Sequence, residues 1–221
     1  MSINVAIDGP AGAGKSTIAK NVAAKMNYIY VDTGAMYRSL ALYFIRQGID
    51  KDDESNISAA CKDCDVTIDY VDGQQQVILN GENVTGLIRT EEVGNMASAS
   101  SVYKDVRAKL LELQRRLAKS NDVIMDGRDI GTCILPDAQV KVFLTASVDT
   151  RADRRYKELI EKNQKPDLEK IKKDIEERDY RDSHRENAPL KQADDAVLVD
   201  SSDMSIEEVT NKIIDIINSK I

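Results

Sequence analysis

The stretch Gly9-Pro10-Ala11-Gly12-Ala13-Gly14-Lys15-Ser16, followed by Thr17, constrains this chain more than any other segment. It fits G-x-x-x-x-G-K-[ST] at every fixed position and stands between an apolar run at 4–7 and a helical pattern at 16–26. Its glycines let the backbone turn until successive N–H groups converge on one anion. The helix that opens there adds its positive end. Lys15 can then reach the outer phosphates of a nucleoside triphosphate, and the Ser16 hydroxyl can ligate Mg²⁺. A strand that ends in such a loop places the site at the carboxyl edge of a parallel sheet.

The remaining pattern agrees. Apolar, β-rich runs at 4–7, 28–31, 123–125, 140–144 and 196–199 alternate with helical patterns at 16–26, 36–47, 104–119 and 205–217. Several of the runs lack polar alternation, which is how a strand covered on both faces reads. The expected class is α/β, a five-stranded parallel sheet flanked by helices. One segment breaks the rhythm: 66–71 alternates, Asp72-Gly73 signals a hairpin turn, and 76–79 answers it. A small antiparallel sheet is therefore expected as an insertion, in a subdomain over about 55–101.

Composition narrows the class of partner. With 31 basic against 38 acidic residues the net charge is −7, which argues against nucleic acid and membrane surfaces, both polyanions. The longest uncharged run, 93–103, is about half of the ~20 residues that a membrane-spanning helix requires. Residues 1–7 lack the basic and apolar segments of a signal peptide, so a cytoplasmic location is expected, and without an exposed apolar stripe a monomer. Cys61 and Cys64 match C-x-x-C, but only Cys133 and His184 could complete a zinc set, and the pair reads as two ordinary helix positions.

A regulatory GTPase should carry D-x-x-G and N-K-x-D, and neither occurs. A small kinase needs instead a second anion site for its acceptor, and arginines mark one. Asp32 to Arg38 and Asp126 to Asp129 each follow an expected strand, putting Arg38 and Arg128 at the same sheet edge as the loop, where a guanidinium can grip a phosphate with two donors. Asp126 is placed to accept from Mg²⁺-bound water. Arg151, Arg154 and Arg155 share one helical face; Arg178, Arg181, Asp182 and Arg185 share another. For each of these the plain alternative is a surface ion pair or a helix cap. The stretch 161–167 between the two helices reads as a mobile lid that would exclude water from the transfer.

Taken together, Ile7 to Thr17, Val31-Asp32-Thr33-Gly34-Ala35-Met36-Tyr37-Arg38, Ile88-Arg89-Thr90, Met125-Asp126-Gly127-Arg128-Asp129-Ile130-Gly131-Thr132, Glu177-Arg178-Asp179 and Ala188-Pro189-Leu190 resemble bacterial cytidylate kinases, within the nucleoside-monophosphate kinases. The resemblance runs essentially end to end and includes the inserted sheet. It implies a P-loop kinase with a core at about 1–35, 102–148 and 168–221, a monophosphate-binding insertion at about 36–101 and a lid at about 149–167. It implies transfer of the ATP γ-phosphoryl group to CMP, and to dCMP, with Mg²⁺. Gly9 to Thr17, Arg151 and Arg155 would hold ATP. Thr33, Tyr37, Arg38, Ser98, Arg107, Arg128, Asp129, Arg178, Asp182 and Arg185 would hold CMP, and Lys15, Arg128, Arg154 and Arg178 would carry catalysis. Arg38 and Arg128 would take the acceptor phosphate; Arg178, Asp182 and Arg185 would lie by the sugar and phosphate. Ser98, Arg107 and Asp129 would read the base, and a carboxylate there has independent sense: it accepts from the cytosine amino group and meets a carbonyl oxygen in uracil. Two rivals remain at this stage: a kinase of another small acceptor, such as shikimate, and a catalytically idle nucleotide sensor.

Overall fold

A computed structural model of the chain describes residues 2–221. Five parallel strands, β1 (Asn4–Asp8), β2 (Ile29–Asp32), β6 (Val123–Gly127), β7 (Val140–Thr145) and β8 (Val197–Asp200), form one sheet in the order β2-β6-β1-β7-β8. The central strand explains the unbroken apolar runs. Val5 and Ile7 point into one apolar cluster, with Ile18, Val22, Ile213 and Ile217 from α1 (Lys15–Met26) and α8 (Ile206–Lys220). Ala6 points into the other, with Met36, Leu40, Phe44, Val106 and Leu110 from α2 (Thr33–Arg46) and α5 (Lys104–Ser120). A strand with helices on both faces needs no polar positions.

Local chemistry fixes the ends of these elements. Asp32 caps α2 by accepting from the Ala35 N–H at 2.9 Å. Asn27 closes α1 in the left-handed conformation, φ 58°. Ser205 and Glu208 form a reciprocal capping box on α8, as the sequence spacing implies.

The expected hairpin is present as β3 (Val66–Val71) and β4 (Gln74–Leu79), paired from Val66↔Leu79 to Val71↔Gln74. Asp72 and Gly73 both have positive φ, 51° and 72°, the turn geometry that matches strand twist. A third short strand, β5 (Glu82–Asn83), completes a separate antiparallel sheet. Two helices flank it: α3 (Glu54–Asp63), at which the Cys61/Cys64 spacing hints, and α4 (Glu91–Ser100), which the sequence reading lacks. Cys61 lies on α3 and Cys64 at its end, both buried in the apolar cluster. The last two helices, α6 (Val148–Glu161) and α7 (Leu168–His184), pack on one another around Ala152, Ile171 and Ile175, an apolar cluster of their own. No helix among the described residues is long and apolar enough to cross a membrane.

The small sheet is hooked onto the edge strand β2. The Gln75 side chain accepts from the Asp32 N–H at 2.8 Å and donates to the Asp32 carbonyl at 3.2 Å, and the Tyr70 hydroxyl donates to the Tyr30 carbonyl at 3.1 Å. These bonds satisfy backbone groups that an edge strand otherwise leaves open.

Candidate active site

Three carboxylates stand at the sheet's carboxyl edge: Asp32 and Asp126 in register, and Asp8 one residue further along, opposite Gly127. The loop from Gly9 to Gly14 leaves that edge. Gly9 has φ 151°, and a Cβ there would lie 1.9 Å from the Leu144 carbonyl oxygen, so no other residue fits. Gly12 and Gly14, at φ 76° and 84°, are left-handed as well.

Lys15 is buried and donates to the Pro10 carbonyl at 2.7 Å. Burial, and then the neighbouring Arg128 guanidinium, push its pKa well below the ordinary lysine value. A negatively charged phosphate at this point would reverse that penalty. The Ser16 hydroxyl donates to Asp126 Oδ2 at 2.9 Å, and the Tyr30 hydroxyl donates to Asp126 Oδ1 at 2.8 Å. Burial, and then the charge on Asp32, raise the Asp126 pKa to about 6. A hydroxyl and an under-stabilised carboxylate side by side form a hard-oxygen set of the kind Mg²⁺ prefers, so these residues fit the metal that the sequence implies.

Arginines surround the other half of the edge. Arg128 pairs with Asp182 at 2.9 Å. Burial works against the charged form of Asp182, yet Arg128 and Arg178 outweigh it and hold the carboxyl below its usual range. Arg178 itself is pushed down to about 10, first by burial and then by Arg128, and its Nε is buried without a hydrogen-bond partner among the described residues. Arg38 makes no ion pair among the described residues; burial and then Arg89 lower its pKa. Crowded, half-compensated guanidinium groups have the charge and the donors that a phosphate would satisfy.

Asp129 is held by Arg107 and by Arg185, the latter at 3.3 Å. Burial raises its pKa even so. Arg107 also lies over the Tyr37 ring, 5.7 Å from its centroid. Ser98, buried on α4, accepts from Arg181 at 3.1 Å. Thr33 donates to the Asp126 carbonyl at 2.7 Å and so ties β2 to β6. Beside Arg181 and Arg185 a cleft of about 940 Å³ opens toward Val102, Tyr103 and Tyr180.

The three arginines of α6, which share one helical face, take different places. Arg151 is buried, donating to the carbonyls of Ala146 at 2.9 Å and Ala11 at 3.0 Å and pairing with Asp179 at 2.6 Å. Arg154 donates to Ser201, while its Nη1 lies 4.0 Å from where a Gly14 Cβ would stand. Arg155 is exposed and paired with Glu158 at 2.9 Å, away from the loop in this conformation.

Several residues beside the site were given no role from sequence. Arg89 pairs with Asp32 next to Arg38; it sits in a loop, where no periodicity marks it. Arg181 belongs to the helical face that the spacing of Arg178, Asp182 and Arg185 marks, but its partner Ser98 comes from α4, which that spacing does not name. Tyr30 and Asp8 carried no signal, being strand residues in an apolar run.

A cytidylate kinase family model matches residues 5–219. Curated cytidylate kinases are about half identical along the whole length: that of Leuconostoc mesenteroides is 51% identical over 220 residues, covering 100% of this chain and 98% of its own. That of Geobacillus is 48% identical with the same coverage. Among solved structures, an uncharacterized protein from Eubacterium ventriosum aligns with a TM-score of 0.55 at 14% identity over 99% of both chains. A gluconokinase from Sinorhizobium meliloti aligns at 0.51 and 13%, covering 98% of this chain and 92% of its own. At such identities the likeness extends to the fold alone.

Proposed function

The chain belongs to the cytidylate kinase family, and from that premise we propose that it transfers the γ-phosphoryl group of ATP to CMP, and to dCMP, giving ADP and the nucleoside diphosphate. The observation that carries the reading is the arginine set on the acceptor side: Arg178 with a buried, partnerless Nε, beside Arg128 and Arg38, at the same sheet edge as Lys15. Loop and arginines bring two polyanions together; water would screen their repulsion only weakly in a buried cleft, and fixed cations do so without reorganising.

In this reading Gly9 to Thr17 cradle the ATP phosphates, and Lys15 follows the transferring group from ground to transition state. Ser16 and Asp126 would hold Mg²⁺, which supplies charge neutralisation on the triphosphate when bound. Arg38 and Arg128 take the acceptor phosphate; Arg178, Asp182 and Arg185 lie along its phosphate and sugar. Ser98, Arg107 and Asp129 read the base, with Tyr37 packed behind Arg107. Residues 36–101 act as the acceptor-binding insertion. Residues 149–167 act as a lid, supported by the apolar cluster that α6 shares with α7 apart from the two clusters on the sheet. The enzyme works as a monomer in the cytoplasm.

The test is ADP release with CMP, dCMP, UMP and AMP as acceptors. CMP and dCMP should be turned over with the highest kcat/KM, and equal or better turnover of AMP, or of a non-nucleotide acceptor such as shikimate, would overturn the reading.

A further inference from the structure

Asp8 is a buried carboxylate that none of these steps uses. It ends β1, is 5% exposed, and spends both oxygens on backbone: Oδ1 accepts from the Ile130 N–H and Oδ2 from the Gly131 N–H, each at 2.8 Å and across more than a hundred residues of chain. Those two amides open a π-helical turn, Ile130–Ile134. Such turns are rare and cluster at functional sites. Here the turn begins at Asp129, whose own carbonyl accepts from the Cys133 N–H at 2.9 Å and the Ile134 N–H at 3.1 Å.

The anchor itself cannot drift. Asp8 precedes Gly9, whose backbone is packed so closely against Leu144 that a Cβ would not fit. On the other side, a Cβ on Gly131 would meet the Lys141 stem at 3.0 Å and Asp8 Oδ2 at 3.4 Å, so the turn presses against both. Asp8 and Lys15 attract one another, but among the described residues they form no ion pair, and the Lys15 Nζ donates instead to the Pro10 carbonyl. An acidic group next to a triphosphate cradle weakens the cradle, so its presence calls for another benefit. The two amide bonds supply one: they fix the backbone from which the Asp129 side chain projects between Arg107 and Arg185.

We propose that Asp8 is a specificity-determining positioning residue, holding the π-helical turn so that Asp129 stands where the acceptor's exocyclic amino group arrives. This rests on the base-reading role of Asp129 given above. Asparagine at position 8 keeps the shape but turns an NH₂ toward an N–H, losing one of the two bonds and repelling the turn.

Steady-state kinetics with CMP and UMP at saturating ATP test it. Asp8→Asn should lower the CMP/UMP ratio in kcat/KM about tenfold while the KM for ATP stays within about twofold. A merely structural role would lower both acceptors alike and leave the ratio, and that outcome overturns the proposal, as does a rise in the ATP KM alone. Should Asp8→Asn not fold, Gly131→Ala displaces the same turn with Asp8 intact; it should narrow the ratio too, and an unchanged ratio counts against the idea. Asp129→Asn separates the two levels. A narrowed ratio there with an unchanged one in Asp8→Asn refutes only the positioning role; an unchanged ratio in Asp129→Asn removes the base reading itself.

Discussion

The proposed donor cradle and the proposed acceptor cradle sit on one sheet edge and are built in opposite ways. The donor side is a contiguous segment, Gly9 to Ser16, whose chemistry is mainly backbone N–H groups plus one buried lysine held by a neighbouring carbonyl. The acceptor side is assembled from α2, α4, α5, the end of β6 and α7, and its chemistry is side-chain guanidinium paired with carboxylate. Electrostatics divides them only in part, since burial raises Asp129 on the acceptor side as well. Burial raises Asp8 and Asp126 to about 6, while the arginines hold Asp182 down. A backbone cradle binds any phosphate chain of the right length. A side-chain cradle can also discriminate, because each donor points at one atom of the acceptor.

If the division is right, the largest loss comes from the one residue that spans both halves. Lys15→Ala should lower kcat by at least about a thousandfold, since the lysine meets charge that develops at the transferring group. Its only hydrogen-bond partner among the described residues is the Pro10 carbonyl, so far-UV circular dichroism should be unchanged. Turnover within tenfold of wild type would break the comparison at its centre.

Arg178 should separate function from stability. Its guanidinium is buried, short of one partner and crowded by Arg128 and Arg38. Arg178→Met should reduce kcat/KM for CMP about a hundredfold, yet relieve repulsion and leave the melting temperature equal or higher. A variant that melts earlier and keeps its kinetics would make Arg178 a structural residue.

Protons test the donor side. The folded Asp126 carboxyl releases its proton near pH 6 and the unfolded one near 3.8, so the folded state binds more protons in between, and wild-type stability falls as pH rises through that window. Asp126→Asn has no such proton to lose. Measured by urea unfolding, its stability relative to wild type should improve by about 2 kcal/mol between pH 4 and pH 7. A flat difference would show that Ser16 and Tyr30 compensate the buried charge fully.

The same contrast explains what the sequence made legible. The donor cradle could be read because its geometry is local: glycines at fixed spacing after a strand admit few other conformations. The parallel sheet followed from apolar runs that needed two covered faces, and the hairpin from Asp72-Gly73. The helix α4 escaped, and α3 showed only in the Cys61/Cys64 spacing, because each is a short segment whose apolar face docks on a neighbour: Ile57, Ala60 and Cys61 in one, Val93 and Ala97 in the other. Arg38 and Arg128 were marked by their places at strand ends. Arg89 and Asp8 were not, since what matters for them is the partner brought by tertiary structure, Asp32 in one case and the Ile130 and Gly131 amides in the other. Periodicity places three arginines of α6 on one face and says nothing of how far along the helix the loop reaches.

That last point yields the smallest effect and the sharpest discrimination. Arg154 lies beside Gly14, and its bonds to Ser201 hold the guanidinium near the loop. Arg155, one position on, is exposed and paired with Glu158, which also pairs with Lys162. A solvent-exposed pair contributes little, about 0.3–0.5 kcal/mol on a helix. Arg154→Ala should therefore lower kcat about tenfold, and Arg155→Ala less than about twofold, in the same ATP-saturated assay. Hydrogen exchange of 149–167 with and without a bisubstrate analogue interprets the result. Slowed exchange with Arg155→Ala near wild type means that the lid closes on Arg154 alone. An equal loss in both variants, again with slowed exchange, means that closure frees Arg155 from Glu158 and turns it inward. In either case α6 lends the backbone cradle a distant side chain, as Arg151 already does at the Ala11 carbonyl, and the second outcome adds Arg155 to that set on closure.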